Sequence, residues 1–303
     1  MLSTENSILE EVFPSFLQNA GNRLFIKRDD LIHPEISGNK WRKLKYNLLA
    51  AQQQKSDGIL TFGGAYSNHL LATAALCKQE SLKSIGIVRG EELDSKSNET
   101  LKKCEELGMM LVFVSREEYS LRNDELFQKE LHIEYPNFML VPEGGANYLG
   151  MIGCQEIWKE IDDHFDYVFV AQGTTTTSLG LLLGCPENTK VIGVPVLKGF
   201  DAANEMKQLA KESFIDEEMM EDCLGRFEVA NDYHFNGYGK YDDELLSFID
   251  QFHAETDILL DQVYTGKAMY ATAKEIERHN WTNKRILFIH TGGLQGRNGI
   301  KKG

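Results

Sequence analysis

The sequence predicts an α/β protein: two three-layer α/β domains built on mainly parallel sheets. Three observations predict it. Eight short apolar, β-branched runs recur along the chain, most without polar alternation, which suits strands buried on both faces. Stretches of helical period separate many of them, and strand–helix alternation implies parallel pairing with helices on both sides of the sheet. Four runs end in glycine loops, TFGGAYSNH, VPEGGANYLG, VAQGTTTTSLG and FIHTGG. Sheets of this class bind ligands beyond the carboxyl ends of their strands, so four such loops suggest a shared site. The length, 303 residues, suits two domains of about 150 residues each.

In chain order the strand runs are LFIK (24–27), ILTF (59–62), SIGIV (84–88), LVFV (111–114), FMLV (138–141), YVFVA (167–171), VIGV (191–194) and ILFI (286–289). Within 40–54, Trp41, Leu44, Leu48 and Ala51 fall at i, i+3, i+7 and i+10, one face of a helix. Ser37 and Asn39 could cap it. Segments 242–255 and 265–279 also read as helices. The net charge of −14 disfavours nucleic acid and acidic membrane surfaces as partners, though a basic pocket could hold one small anion. No run approaches the roughly 18 apolar residues of a spanning helix, and the opening MLSTENSILEEVF lacks a basic region before an apolar stretch. Five widely spaced cysteines (Cys77, Cys104, Cys154, Cys185, Cys223), with no C-x-x-C, read as reduced thiols of a cytoplasmic protein without a metal site.

Four segments carry possible chemistry. Thr174, Thr175, Thr176 and Thr177 follow a strand and open a helix, where N–H groups and hydroxyls make a phosphate cradle or, alternatively, a plain threonine-rich cap. Neither G-x-x-x-x-G-K-[ST] nor a strand–G-x-G-x-x-G–helix pattern occurs, so a phosphate there belongs to something other than ATP or a dinucleotide. In SGNKWRKLKY, Lys40 falls in the first turn of a helix, against the macrodipole, which lowers its pKa as an imine-forming lysine requires. Spacing alone favours the alternative, a solvated basic face with Arg42, Lys43 and Lys45. In GGAYSNHLL, Asn68 could contact a ligand oxygen and Ser67 could carry a proton or act as nucleophile, or either could cap a helix. In DQVYTGKAM, Tyr264 is an acid–base candidate or an amphipathic packing residue.

As a set, SGNKWRKL, TFGGAYSNH, GTTTTSLG, DQVYTGKAM and IHTGG occur in the order found in pyridoxal-phosphate enzymes. From about Leu24 to Gly293 the chain resembles the D-cysteine desulfhydrase and 1-aminocyclopropane-1-carboxylate deaminase group, of tryptophan-synthase-β-like fold (fold type II). The resemblance reverses the reading of Lys40, which would form the Schiff base with pyridoxal 5′-phosphate and move the α-proton. Lys43 and Thr174 to Thr177 would hold the phosphate. Asn68 would bond the ring hydroxyl, and Ser67 would stand over the substrate carboxylate or serve as the reactive hydroxyl. Tyr238, in NGYGK, and Tyr264 would face the substrate, and Thr265 would sit at the pyridine nitrogen. His69 and His290 would support the site from behind. The resemblance further implies a homodimer acting on a small amino acid, with a smaller mobile domain (46–150) inserted into a larger cofactor-binding one (1–45 plus 151–303) and the site in the cleft between them.

Two positions bear on the substrate. The deaminases resembled carry glutamate after the tyrosine, as YEGK, whereas Thr265 is neutral and leaves the ring a weaker electron sink. Thr291 in HTGG, counted with the cofactor's neighbours, also fits the desulfhydrase branch. Both favour β-elimination of D-cysteine to sulfide, pyruvate and ammonia. The alternatives are opening of 1-aminocyclopropane-1-carboxylate to 2-oxobutanoate, elimination or racemisation of another amino acid such as D-serine, and cofactor binding without turnover. Tyr66 and Leu71 replace the glutamine and arginine usual in GGIQSNHxR, and threonines replace the glycines usual in the phosphate loop.

Overall fold

All eight apolar runs form strands in the computed structural model, which describes residues 3–17, 20–36, 38–213 and 216–294. They are β2 (Arg23–Lys27), β3 (Gly58–Gly64), β4 (Lys83–Arg89), β5 (Met109–Val114), β6 (Phe138–Val141), β7 (Tyr167–Gln172), β8 (Lys190–Pro195) and β10 (Arg285–Ile289). Two more, β1 (Leu9–Val12) and β9 (Phe227–Val229), have no counterpart among the expected runs. Both are short edge strands, and β1 reads LEEV, with too little apolar surface to stand out.

The strands form two sheets. One has six strands in the order β1-β2-β10-β7-β8-β9, and the other has four in the order β5-β4-β3-β6. Every pairing is parallel except β1 with β2. The absence of polar alternation follows from burial on both faces. In β7, Phe169 and Ala171 join the core beneath helices Asp243–Thr256 and Thr265–Arg278. Val168 and Val170 join the opposite core, beneath helices Thr176–Gly184 and Ala202–Glu212. The smaller sheet repeats the arrangement: Ile59 of β3 packs with Trp41, Leu44, Leu48 and Ala51 of helix Asn39–Gln53, while Leu60 and Phe62 face Tyr119 and Leu131. Each buried Leu, Ile or Phe contributes about 1.5–3 kcal/mol, so the helices are held by their apolar stripes rather than by propensity.

Helix Asn39–Gln53 starts differently from expectation. Its N-cap is Gly38, at φ 60° and ψ −135°, with no side-chain cap, and Asn39 is the first helical residue; Ser37 lies outside the described residues. Gly38 is required twice over. Its φ is left-handed, and a Cβ there would lie 1.9 Å from the carbonyl oxygen of Thr291. That close approach presses the helix start against the HTGG loop beyond β10, where Asn39 N–H donates to Thr291 O at 3.3 Å.

Candidate functional site

The carboxyl ends of β3, β4, β6, β7 and β10 open onto one cleft of about 1180 Å³. All four glycine loops reach it: Gly64 to His69 after β3, Pro142 to Gly144 after β6, Gly173 and Thr174 after β7, and Thr291 to Gly293 after β10. The glycines keep it open. A Cβ on Gly144 would meet Thr174 Cγ2 at 3.1 Å, and one on Gly173 would meet Tyr264 Cε1 at 3.1 Å.

Lys40 lines the cleft, half-buried, and among the described residues its amine makes no hydrogen bond or ion pair. Burial is the first cause that lowers its pKa to about 7, and the neighbouring Lys43 charge is the second. The direction is the expected one, but the cause is desolvation. Lys43, only 2% exposed, donates from Nζ to Thr174 Oγ1 at 2.9 Å. Arg42 is also only 2% exposed. It donates to Asp29 through Nε (2.6 Å) and Nη2 (2.7 Å), and both Nη atoms reach Glu160 at 2.9 Å. The basic run is therefore not a solvated face at these two positions.

The threonine run splits by role. Thr174 lines the cleft and shares its hydroxyl with Thr176 at 3.3 Å, whereas Thr175, Thr176 and Thr177 are buried behind it. Thr177 Oγ1 accepts from Asn39 Nδ2 at 2.9 Å, and Thr175 Oγ1 has no partner among the described residues. At these three positions what remains for an anion is mainly backbone: the opening N–H groups of helix Thr176–Gly184 have no acceptor within the helix.

Ser67 combines a helix cap with a place on the cleft wall. It caps helix Asn68–Gln79, accepting from Leu70 N–H at 3.3 Å, and it lines the cleft beside Asn68. A Cβ on Gly293 would lie 3.1 Å from Asn68 Nδ2, so the SNH and HTGG loops meet across the cleft. His69 is buried next to them. Thr61 gives its proton to Val141 O, so His69 Nε2, 3.0 Å away, is the protonated nitrogen, and Nδ1 has no partner among the described residues. Burial and the Lys40 and Lys43 charges keep this imidazole neutral. His290 is wholly buried and ties its own loop, with Nε2 to Leu259 O at 2.7 Å and Gly292 N–H to Nδ1 at 3.2 Å.

Tyr238 and Tyr264 both line the cleft, rings edge to face with centroids 6.0 Å apart. Burial raises both phenol pKa values, Tyr264's well above the ordinary one. Both therefore carry their protons at neutral pH. Thr265 departs from expectation: it is wholly buried, off the cleft wall, with its hydroxyl donating to Asp261 Oδ1 at 2.7 Å. Asp261 caps this helix through the N–H groups of Val263, Tyr264 and Thr265, and the Thr265 hydroxyl completes that local ring. Of the two threonines expected near the ring, Thr291 is the one that reaches the cleft.

Several cleft residues escaped the sequence reading. Glu143 sits in a glycine loop that was singled out, and it accepts from Arg122 Nε at 2.6 Å. Arg89 ends β4 and lies beside the Tyr119 ring, 5.8 Å from its centroid. Glu205, on the exposed-looking helix Ala202–Glu212, accepts from Thr175 N–H at 3.3 Å. Glu143 had a motif to mark it; Glu205 and Arg89 had none.

Known proteins match this chain over nearly its whole length. The model of the pyridoxal-phosphate dependent enzyme family matches residues 12–292. The Arabidopsis thaliana protein named bifunctional D-cysteine desulfhydrase/1-aminocyclopropane-1-carboxylate deaminase, mitochondrial, is 32% identical over 91% of this chain and 73% of that protein. A Yersinia pestis protein named D-cysteine desulfhydrase is 30% identical over 90% of this chain and 87% of that protein. The crystal structure of an ACC deaminase homologue superposes with a TM-score of 0.82 at 30% identity, covering 98% of this chain and 92% of that one.

Proposed function

The chain belongs to the pyridoxal-phosphate dependent enzyme family, and from that premise we propose that it cleaves D-cysteine to sulfide, pyruvate and ammonia. The observation that carries the reading is the Lys40 amine, without a partner among the described residues and lowered to about 7, in one cleft with two phenols that keep their protons. An amine of that pKa is a usable base at neutral pH, whereas an ordinary lysine is not.

The residues fit pyridoxal 5′-phosphate. Lys43, the Thr174 hydroxyl and the N–H groups opening helix Thr176–Gly184 offer an anion cradle, and the buried Thr175 hydroxyl is without a partner. Gly144, Gly173 and Gly293 leave room that a side chain would fill. Asn68 and Thr291 stand at the wall where the ring would lie. When bound, the cofactor supplies the electron sink for removal of the α-proton. Lys40 would hold it through Nζ and, once that amine is free, would take the α-proton there. Ser67 and the N–H groups beside it receive the substrate carboxylate. Tyr264, its phenol held protonated and its ring against Gly173, donates toward the departing sulfur, with Tyr238 beside it. Hydrolysis of the released enamine then gives pyruvate and ammonia.

The smaller sheet, all of it within 58–141, is proposed to move as part of a domain of residues 46–150 against 1–45 plus 151–303, closing the cleft and excluding water. A homodimer in the cytoplasm completes the reading, on the family resemblance and the odd, scattered cysteines.

A second reading is favoured by one observation: the bifunctional name of the Arabidopsis relative. In it the same residues open 1-aminocyclopropane-1-carboxylate to 2-oxobutanoate and ammonia. Purified protein supplied with cofactor separates the two. Sulfide and pyruvate from D-cysteine, with little 2-oxobutanoate from the cyclopropane, is the expected result. The reverse would transfer the assignment to the deaminase, and product from neither would refute both.

A further inference from the structure

We propose that Glu205 competes with the cofactor's phosphate at the start of helix Thr176–Gly184, so that the cofactor loads by displacing a carboxylate already seated at the edge of its cradle. Glu205 Oε1 accepts from Thr175 N–H at 3.3 Å, one residue before helix Thr176–Gly184, where the phosphate site was assigned above. It lines the same cleft as Lys43 and Thr174. The buried Thr175 hydroxyl beside this contact has no partner among the described residues, so the cradle is only partly satisfied by the carboxylate.

Charge makes the competition obligatory. A phosphate dianion and a carboxylate on adjacent donors repel, and Lys43 is the cation they share. The other charged groups facing Glu205 are Glu143, from the loop after β6, and Arg122; Glu212, on its own helix, lines the cleft as well. Burial raises the Glu205 carboxyl pKa, so acidification relieves the repulsion before the ordinary carboxylate range is reached.

The test is equilibrium binding of pyridoxal 5′-phosphate to the cofactor-depleted protein, read spectroscopically, for wild type and Glu205→Gln. The variant is expected to bind about tenfold tighter or better at neutral pH. The ratio of the two dissociation constants should fall toward one as pH falls; taking the ratio removes the titration of Lys40, which both proteins share. Pyridoxal, which lacks the phosphate, should bind both proteins alike. Equal or weaker binding of pyridoxal phosphate by Glu205→Gln, or equal tightening toward pyridoxal, would overturn the inference. Because it rests on the assigned phosphate site, Lys43→Met is measured alongside. Weaker binding by that variant with no gain in Glu205→Gln refutes the competition alone, while no effect of either refutes the phosphate site as well. Should Glu205→Gln fail to fold, Glu205→Ala is read by the same criteria.

Discussion

In the proposed mechanism Lys40 and Tyr264 divide the proton chemistry, because one cleft acts oppositely on a cation and on a neutral acid. Removing water disfavours charge, so it lowers the amine and raises the phenol. Since Lys40 Nζ must be neutral to accept a proton, kcat for D-cysteine is expected to fall as pH drops below about 7, with no loss from tyrosine ionisation in the neutral range. A profile flat through pH 7 would remove Lys40 from the role. Tyr264→Phe should lower kcat by about 10²–10⁴-fold while the bound-cofactor absorbance band persists. The lysine was legible only through the company of its motif, since periodicity alone put it on a solvated face. Thr265 shows the opposite error. A motif position carried it to the ring, but a hydroxyl four residues after Asp261 finds a capping carboxylate first. Glu205 was illegible because a carboxylate on an amphipathic helix looks like any solvent-facing residue until the fold brings Thr175 to it.

Helix Asn39–Gln53 presents Lys40 and Lys43 correctly only if its start is fixed, and two features fix it. Gly38 abuts Thr291, and Arg42 is clamped between Asp29 and Glu160, with Lys27 also on Glu160 at 2.8 Å. Arg42→Met would leave Asp29, wholly buried, without its cation. Breaking such a pair costs about 3–5 kcal/mol, which a denaturant midpoint would register as a large drop. The loop before Tyr238 depends on one side chain. Lys267 is wholly buried and donates to His234 O at 2.9 Å and Gly237 O at 2.8 Å, clamping a turn in which Phe235, Asn236 and Gly237 all have positive φ. Lys267→Met removes both of these charged hydrogen bonds, about 1.5–3 kcal/mol each, although each carbonyl keeps a backbone donor, Gly237 N–H to His234 O at 3.0 Å and Lys240 N–H to Gly237 O at 3.1 Å. Thermal melts should show the loss, and kcat should fall with the cofactor band unchanged. The helix and its apolar face were readable from Trp41, Leu44, Leu48 and Ala51; the Arg42 clamp was not, because its partners lie 13 and 118 residues away.

Across the molecule, two sheets point five strand ends into a single cleft. Burial on both faces made eight of the ten described strands readable, and glycine at the strand ends marked where they converge. What periodicity could not show is the pairing order, which sets the distances between loops remote in sequence, and the two edge strands of the larger sheet, β1 and β9, which are short and carry little apolar surface. Closure of the smaller sheet over the cleft would be expected to slow amide exchange in the loop after β3 when substrate analogue is bound, with unchanged exchange arguing against domain movement. The account turns on Lys40 holding the cofactor. Borohydride reduction of the cofactor-loaded protein, followed by proteolysis and mass spectrometry, tests that most directly. The predicted result is a single pyridoxyl-phosphate label on the peptide containing Lys40, absent from Lys40→Ala. A label on Lys43 or any other lysine, or none at all, would contradict the account.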